Sequence, residues 1–260
     1  LRVVLCEICV RCGRSDVGDG VLVGGATPGE GHVIAGHAST GVLMMNGPGI
    51  PSVGRVRLSG NSIYNNDEIG IDLMPNTWDF GATPNDPLDL DDGANGLQNF
   101  PVIDSAERTD SLTTVGGSLN SLPSLAYQIE FFASSSCDAS GFGQGELFLG
   151  STAVVTDAAG NAAFSAVLPQ SAPVDSVITA TATQSSEGAT SEFSVCVPVV
   201  NNSCPADLAE PIGRLDFADV VTFLTAFAER SPGADLAAPL GQWDISDVIA
   251  FLTAFGAGCP

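Results

Sequence analysis

Residues 207–227, Asp-Leu-Ala-Glu-Pro-Ile-Gly-Arg-Leu-Asp-Phe-Ala-Asp-Val-Val-Thr-Phe-Leu-Thr-Ala-Phe, return as residues 235–255, Asp-Leu-Ala-Ala-Pro-Leu-Gly-Gln-Trp-Asp-Ile-Ser-Asp-Val-Ile-Ala-Phe-Leu-Thr-Ala-Phe. The offset is a constant 28 residues with no gap, and a fixed period of this kind means one supersecondary unit used twice. Cys204-Pro205 opens the pair and Cys259-Pro260 closes it. In each copy the apolar positions recur at helical spacing: Val220, Phe223, Leu224 and Phe227, matched by Val248, Phe251, Leu252 and Phe255. Each repeat therefore reads as an acidic loop followed by a short amphipathic helix whose apolar stripe faces inward.

The aspartates of each loop fall at positions 1, 10 and 13, with Gly213 or Gly241 at position 7, where a left-handed turn is cheap. An EF-hand loop places oxygen ligands at 1, 3, 5, 7, 9 and 12, with a glycine at 6. One residue is thus inserted before the glycine. The middle positions, Ala209 and Pro211 in the first loop and Ala237 and Pro239 in the second, offer no side-chain oxygen. A second reading stands beside the metal one, because Asp216 and Asp244 also sit where a helix N-cap belongs.

The duplicated Asp-Leu-Ala-x-Pro and Asp-x-x-Asp-Val motifs resemble the dockerin family, in particular the bacterial variant whose repeats end in a Gly-Cys tail, here Gly258-Cys259. The resemblance covers 204–260 and implies two calcium-loop-plus-helix segments packed as an antiparallel pair. It implies calcium held by Asp207, Asp216 and Asp219, and again by Asp235, Asp244 and Asp247. It also implies a cohesin-like protein or a cell-surface anchor as partner. Val221, Thr222 and Thr225, with Ile249, Ala250 and Thr253, are offset from the inward stripe and are expected on the partner-binding face.

Thirty acidic residues against eight basic ones give a formal charge of −22, the wrong sign for a nucleic-acid partner. No apolar run is long enough to span a membrane. Cys137, Cys196, Cys204 and Cys259 lie at module edges and suit an oxidising, extracellular or cell-surface setting. The expected pairings are Cys204 with Cys259 around the repeat and Cys137 with Cys196. The run Cys6-x-x-Cys9-x-x-Cys12 lacks the fourth cysteine and proline of an iron–sulfur signature, and residues 1–15 read as a non-native leader.

Residues 16–99 carry short apolar pairs separated by Gly, Asn and Asp. His32 to Met44 aligns with Asn61 to Leu73 at an offset of 29, and Asp19 to Val23 reads as an earlier partial copy. Short strands of this kind suit a solenoid, with Asn61 and Asn66 as an inward amide ladder and His32 and His37 at the matching positions one turn earlier. The pattern resembles right-handed parallel β-helix repeats of large bacterial secreted proteins. The following acidic segment, Pro75 to Pro101, ends the solenoid, and Asp89, Asp91 and Asp92 form a second candidate calcium loop. A solvated capping loop is the other reading.

From 100 to 198 the period becomes two, as in Tyr127-Gln-Ile-Glu-Phe131 and Val177-Ile-Thr-Ala-Thr-Ala-Thr183. Short strands with turn signals between them read as an immunoglobulin-like β-sandwich. Glu130, Glu146, Asp157 and Glu187 are expected to face solvent there. The expected fold class is mainly β: a partial parallel β-helix, a sandwich, and a small all-α C-terminal module.

Parallel β-helices often act on polysaccharides, so Arg55, Arg57, Asp67, Glu68 and Asp72 are candidates for a catalytic cluster. The alternative is that they decorate the polar outside of the solenoid. Too few coils are present for an extended groove, and no Ser or Cys accompanies His32 or His37 as a nucleophile. The expected function is a secreted, non-catalytic surface or anchoring protein whose tail docks to another protein. Two further readings are carried: a fragment of an anchored polysaccharide-active enzyme, with carbohydrate as ligand, and a tail acting as a processed sorting signal.

Overall fold

The computed structural model describes residues 8–9, 20–45, 55–75, 80–109, 111–202, 204–210 and 214–258. The chain is mainly β with a small helical part at its C-terminus. It divides into two compact units, Leu1–Glu107 with Ser111–Val200, and Arg108–Asp110 with Asn201–Pro260. The segments on both sides of residue 99 belong to the first unit.

The N-terminal part of the first unit winds as stacked turns. Strand β1 (Ile8–Cys9) pairs with β4 (Val42–Met44), and β4 pairs in turn with β7 (Ile71–Leu73), all parallel. On the other walls β2 (Val21–Gly24) lies parallel to β5 (Val56–Ser59), and β3 (Val33–Ala35) to β6 (Ser62–Tyr64). Val33 opposes Ser62 and Val42 opposes Ile71, which is the 29-residue offset read from the sequence. Val21 opposes Val56 instead. Val21 to Val23 is thus the first wall of a turn and not a copy of an earlier one.

Amides hold the turns in register. Asn61 Oδ1 accepts from the His32 N–H at 3.0 Å while its Nδ2 donates to Val23 O at 2.8 Å. Asn66 does the same one wall on, with His37 N–H and Ile34 O. Adjacent turns come so close that a Cβ on Gly31 would lie 2.0 Å from the Gly60 carbonyl oxygen, so only glycine fits there.

The rest of the unit is two facing sheets. One runs β11 (Leu147–Val155), β10 (Ala126–Ser134), β13 (Val177–Gln184), β14 (Val197–Pro198), with antiparallel pairing throughout. The other contains β12 (Asn161–Leu168), β9 (Thr113–Asn120) and β8 (Val102–Arg108) in that order. Cys137, after β10, is disulfide-bonded to Cys196, before β14, with Cα atoms 6.0 Å apart. Between the sheets Val115, Leu119, Tyr127, Ile129, Phe131, Leu149, Ile178, Ala180 and Ala182 are buried as one core.

The sheet containing β10 and β13 is covered on its second face as well. Phe132 of β10, and Phe193 in the segment between β13 and β14, join Ile34, Val42, Val56, Ile63 and Ile71 of the stacked turns in a second core. Their rings meet edge to face at 5.4 Å. Successive strand residues point to opposite faces, so Ile178, Ala180 and Ala182 serve the first core while Thr179, Thr181 and Thr183 are buried on the other side. Two of these threonines have side-chain partners: Thr179 Oγ1 donates to Gln144 O at 2.9 Å, and Thr183 and Thr190 hydroxyls lie 2.8 Å apart. The sheet thus closes the open side of the described turns.

Helix α1 spans Phe217–Ala228 and α2 spans Ile245–Ala257. Their core is Phe223 stacked on Phe251, with ring centroids 4.1 Å apart and planes 8° from parallel. Ala206 and Ala234 fill in beneath, and Val220, Phe227, Val248 and Phe255 flank the pair. Neither helix is long and apolar enough to cross a membrane.

If the second core is what makes the turns and the sandwich one unit, Phe193→Ala leaves a cavity on both sides of the shared boundary. Denaturant unfolding of this variant is expected to lose about 3–5 kcal/mol while remaining a single transition for the first unit.

Candidate functional site

The loops before the two helices hold the residues that the dockerin resemblance marks as ligands. Asp216 caps α1, its side chain accepting from the Ala218 N–H at 2.8 Å, and Asp244 caps α2 through the Ser246 N–H at 2.7 Å. Both ends are closed capping boxes, with Asp219 and Asp247 at the third helical position. Asp219 and Asp247 are themselves 0% exposed. Asp219 Oδ1 accepts from the N–H groups of Leu208 and Ala209 at 2.7 and 2.8 Å, and Oδ2 from Asp216 at 2.8 Å. Asp247 repeats the pattern with Leu236, Ala237 and Asp244 at 2.8, 2.9 and 2.9 Å.

Burial pushes the Asp219 carboxyl up, but the N–H bonds from Asp216, Ala209 and Leu208 outweigh it and hold it below the usual carboxylate range. For Asp247 the N–H bond from Asp244 is the largest influence, and the result is again a lowered pKa. At the loop start Asp235 Oδ2 accepts from the Gly241 N–H, and Gly241 has the expected left-handed φ of 88°. Asp235 Oδ1 is buried without a hydrogen-bond partner among the described residues. Gly213 and Pro211, the matching positions in the first loop, lie outside the described residues.

These residues do not fit a calcium ion. Among the described residues, neither Asp207, Asp216 and Asp219 nor Asp235, Asp244 and Asp247 bring three ligand atoms within 4.8 Å of one another. The capping reading of Asp216 and Asp244 is the one that the geometry carries. Cys204 is disulfide-bonded; Cys259, its expected partner, lies outside the described residues, as do the side chains of the Cys6, Cys9 and Cys12 run.

The face of the helix pair also differs from expectation. Val221, Thr225, Ile249 and Thr253 are exposed, but Thr222 and Ala250 are half-buried. The threonine hydroxyls turn back onto their own helices, Thr225 onto Val221 O and Thr253 onto Ile249 O. Leu224 and Leu252, expected inside, are 54% and 57% exposed, and Phe217 and Ile245 are 76% and 68% exposed. An apolar outer stripe results on each helix, Phe217-Val221-Leu224 and Ile245-Ile249-Leu252, at i, i+4 and i+7. This spacing is visible in the sequence once Asp216 and Asp244 are taken as the helix starts.

The acidic segment of the first unit gathers a different triad from the one expected. Asp86, Asp89 and Asp91 bring one carboxylate oxygen each within 4.8 Å, with Asp86 in the place expected of Asp92. The cluster is tied into the fold. Asp86 accepts from the Leu90 N–H, and Asp89 from the Asn99 N–H and from the Ser121 hydroxyl at 2.7 Å. Burial, helped by the charges of Asp91 and Asp86, pushes the Asp89 carboxyl up to about 6.

The candidate catalytic residues are dispersed. Arg55 pairs with Glu187 at 3.2 Å and Arg57 donates to Ser185 O at 3.0 Å. Asp67 and Glu68 are exposed, and Ser39 donates to Glu68. Asp72, expected on the outside, is fully buried, and burial raises its pKa. Glu130, also expected in solvent, is buried where the turns meet β10 and accepts from Ser59 Oγ and the Gly60 N–H. Glu192, which the sequence did not single out, is buried too, taking the Leu73 N–H on Oε1 and the Thr83 N–H on Oε2.

No protein-family model matches the chain, and no curated protein matches it either.

Glu192 makes the first unit sensitive to pH. Burial pushes its carboxyl up to about 8, against the pull of the Leu73 and Thr83 N–H groups and with added repulsion from Asp72. A folded pKa above the ordinary 4.5 means that this stability is full below the unfolded value and is lost as pH rises through about 8. Thermal melts of the β-rich unit, followed by near-UV circular dichroism, are expected to fall steadily between pH 5 and pH 8. Glu192→Gln is expected to melt lower at pH 5, since its amide nitrogen meets an N–H donor, and to show a shallower decline.

Proposed function

We propose that the chain is an extracellular, non-catalytic attachment protein whose C-terminal helix pair docks onto a protein partner. The observation that carries this reading is the duplicated apolar stripe, Phe217-Val221-Leu224 and Ile245-Ile249-Leu252, left in solvent on a unit whose core is Phe223 and Phe251. Side chains of this kind cost solubility when exposed and are kept where something covers them. A cohesin-like surface is the partner that the dockerin resemblance supplies. The Cys137–Cys196 disulfide supports an extracellular location.

The first unit then serves as the body that the tail attaches. The alternative of a polysaccharide-active enzyme has less support, since Arg55 is paired, Arg57 is bonded to a backbone carbonyl, and Asp72 lies beneath the surface.

Leu224→Glu combined with Leu252→Glu places a charge in the middle of both stripes without touching the Phe223–Phe251 stack. Immobilised wild-type chain is expected to retain a protein from the surface fraction of the producing cells, and the double variant to bind it at least about tenfold more weakly. Helix content by circular dichroism should be unchanged. Equal retention by both chains would contradict the docking assignment.

A further inference from the structure

We infer that the two loops of the C-terminal unit are anion-binding nests closed by the chain's own carboxylates, Asp219 and Asp247, so that the unit folds without a metal ion. The inference concerns how the unit is held together, and it stands whether or not a partner covers the helix face. It follows from the polarity of what lines each loop. A calcium loop turns oxygen atoms inward, with six to eight of them around the ion. Here the loop turns N–H groups inward. Leu208, Ala209 and Asp216 in the first loop, and Leu236, Ala237 and Asp244 in the second, all point their donors at one buried carboxylate.

Consecutive N–H groups aimed at one point form a concavity that attracts negative charge and repels a cation. The adjoining helix N-terminus adds to the same field. A carboxylate offers roughly four lone-pair positions, and three on each of these are filled by protein donors. Among the described residues of the second loop's aspartates, the one buried oxygen without a partner is Asp235 Oδ1. The residues at the middle of the loops, Ala209, Ala237 and Pro239, have no side-chain oxygen to supply more.

Each carboxylate also spans the loop. The Asp219 bond to Leu208 joins positions 11 apart, and the Asp247 bond to Leu236 does the same. The beginning of the loop is thereby fastened to the beginning of the helix, which is the task that an ion performs in a calcium loop. That the same three bonds occur in both copies, within 0.1 Å of one another, makes the arrangement a property of the repeated sequence.

The test uses the intact chain and the far-UV signal at 222 nm, since α1 and α2 are the α-helices among the described residues. Melting is followed in excess EDTA and in excess calcium chloride. The expected result is helical signal in EDTA and melting temperatures that agree within about 2 °C, because a ligand that does not bind the native state does not shift its unfolding. Asp219→Asn and Asp247→Asn set an amide N–H₂ against the loop donors. Each is expected to lower the helical melt by about 5–10 °C in both buffers, and complete loss of helix in both buffers is the same result in stronger form.

A second pair of variants keeps the test independent of those. Asp216→Ser with Asp244→Ser preserves a helix cap while removing two carboxylates that a metal site would use. This double variant is expected to keep a melt insensitive to calcium. Helix that disappears in EDTA and returns with calcium overturns the inference. So does a calcium-induced rise in melting temperature that the serine variants abolish.

Discussion

Three backbone N–H groups converge on a carboxylate from which solvent is excluded, and this happens twice, at Asp219 and at Asp247. A buried carboxylate is tolerable only when its oxygens are occupied, and backbone donors at a helix start are among the few that can be supplied without a lysine or arginine. The C-terminal unit therefore owes its loops to hydrogen bonds that the peptide itself provides. With the loops tied down, α1 and α2 present Phe223 and Phe251 to one another, and their ring stack becomes the core of a unit too small to hold much else. Val220, Phe227, Val248 and Phe255 flank the stack, and Phe217, Val221, Leu224, Ile245, Ile249 and Leu252 are left outward.

The first unit solves a related problem by sharing. Short stacked turns have an open side, and a sandwich has two outer faces that are ordinarily wet. Here one outer face closes the open side. Phe132 and Phe193 pack against the turns, Thr179 and Thr183 find partners, and Glu130, Gln144 and Glu192 bond to backbone atoms of the turns. Their polar groups are buried but satisfied, at the cost of raised carboxyl pKa values that leave the unit less stable as the medium becomes alkaline.

Local pattern was legible in the sequence, and what was covered was not. The 29-residue offset became the register of β3 with β6 and of β4 with β7, and Asn61 and Asn66 form the amide ladder. The 28-residue repeat became two capped helices starting where Asp216 and Asp244 announced them. Alternation in Ile178-Thr-Ala-Thr-Ala-Thr183 announced a strand, but period two cannot say whether the threonine face meets water or another layer, so the shared core and the buried Glu130, Asp72 and Glu192 were invisible. The helical stripe was drawn one position too wide, because Leu224 and Leu252 satisfy the spacing as well as the residues that are inside. The acidic loops were the hardest case. Aspartates at spaced positions look alike whether they face an ion or a ring of N–H groups, and only the direction of the backbone distinguishes the two.

The most direct measurement is amide hydrogen exchange in the intact chain, read residue by residue by NMR in the presence of EDTA. The account predicts that the N–H groups of Leu208, Ala209, Leu236 and Ala237 exchange as slowly as those inside α1 and α2, and that calcium leaves their rates unchanged. Amides that exchange freely in EDTA and become protected only when calcium is added would contradict it.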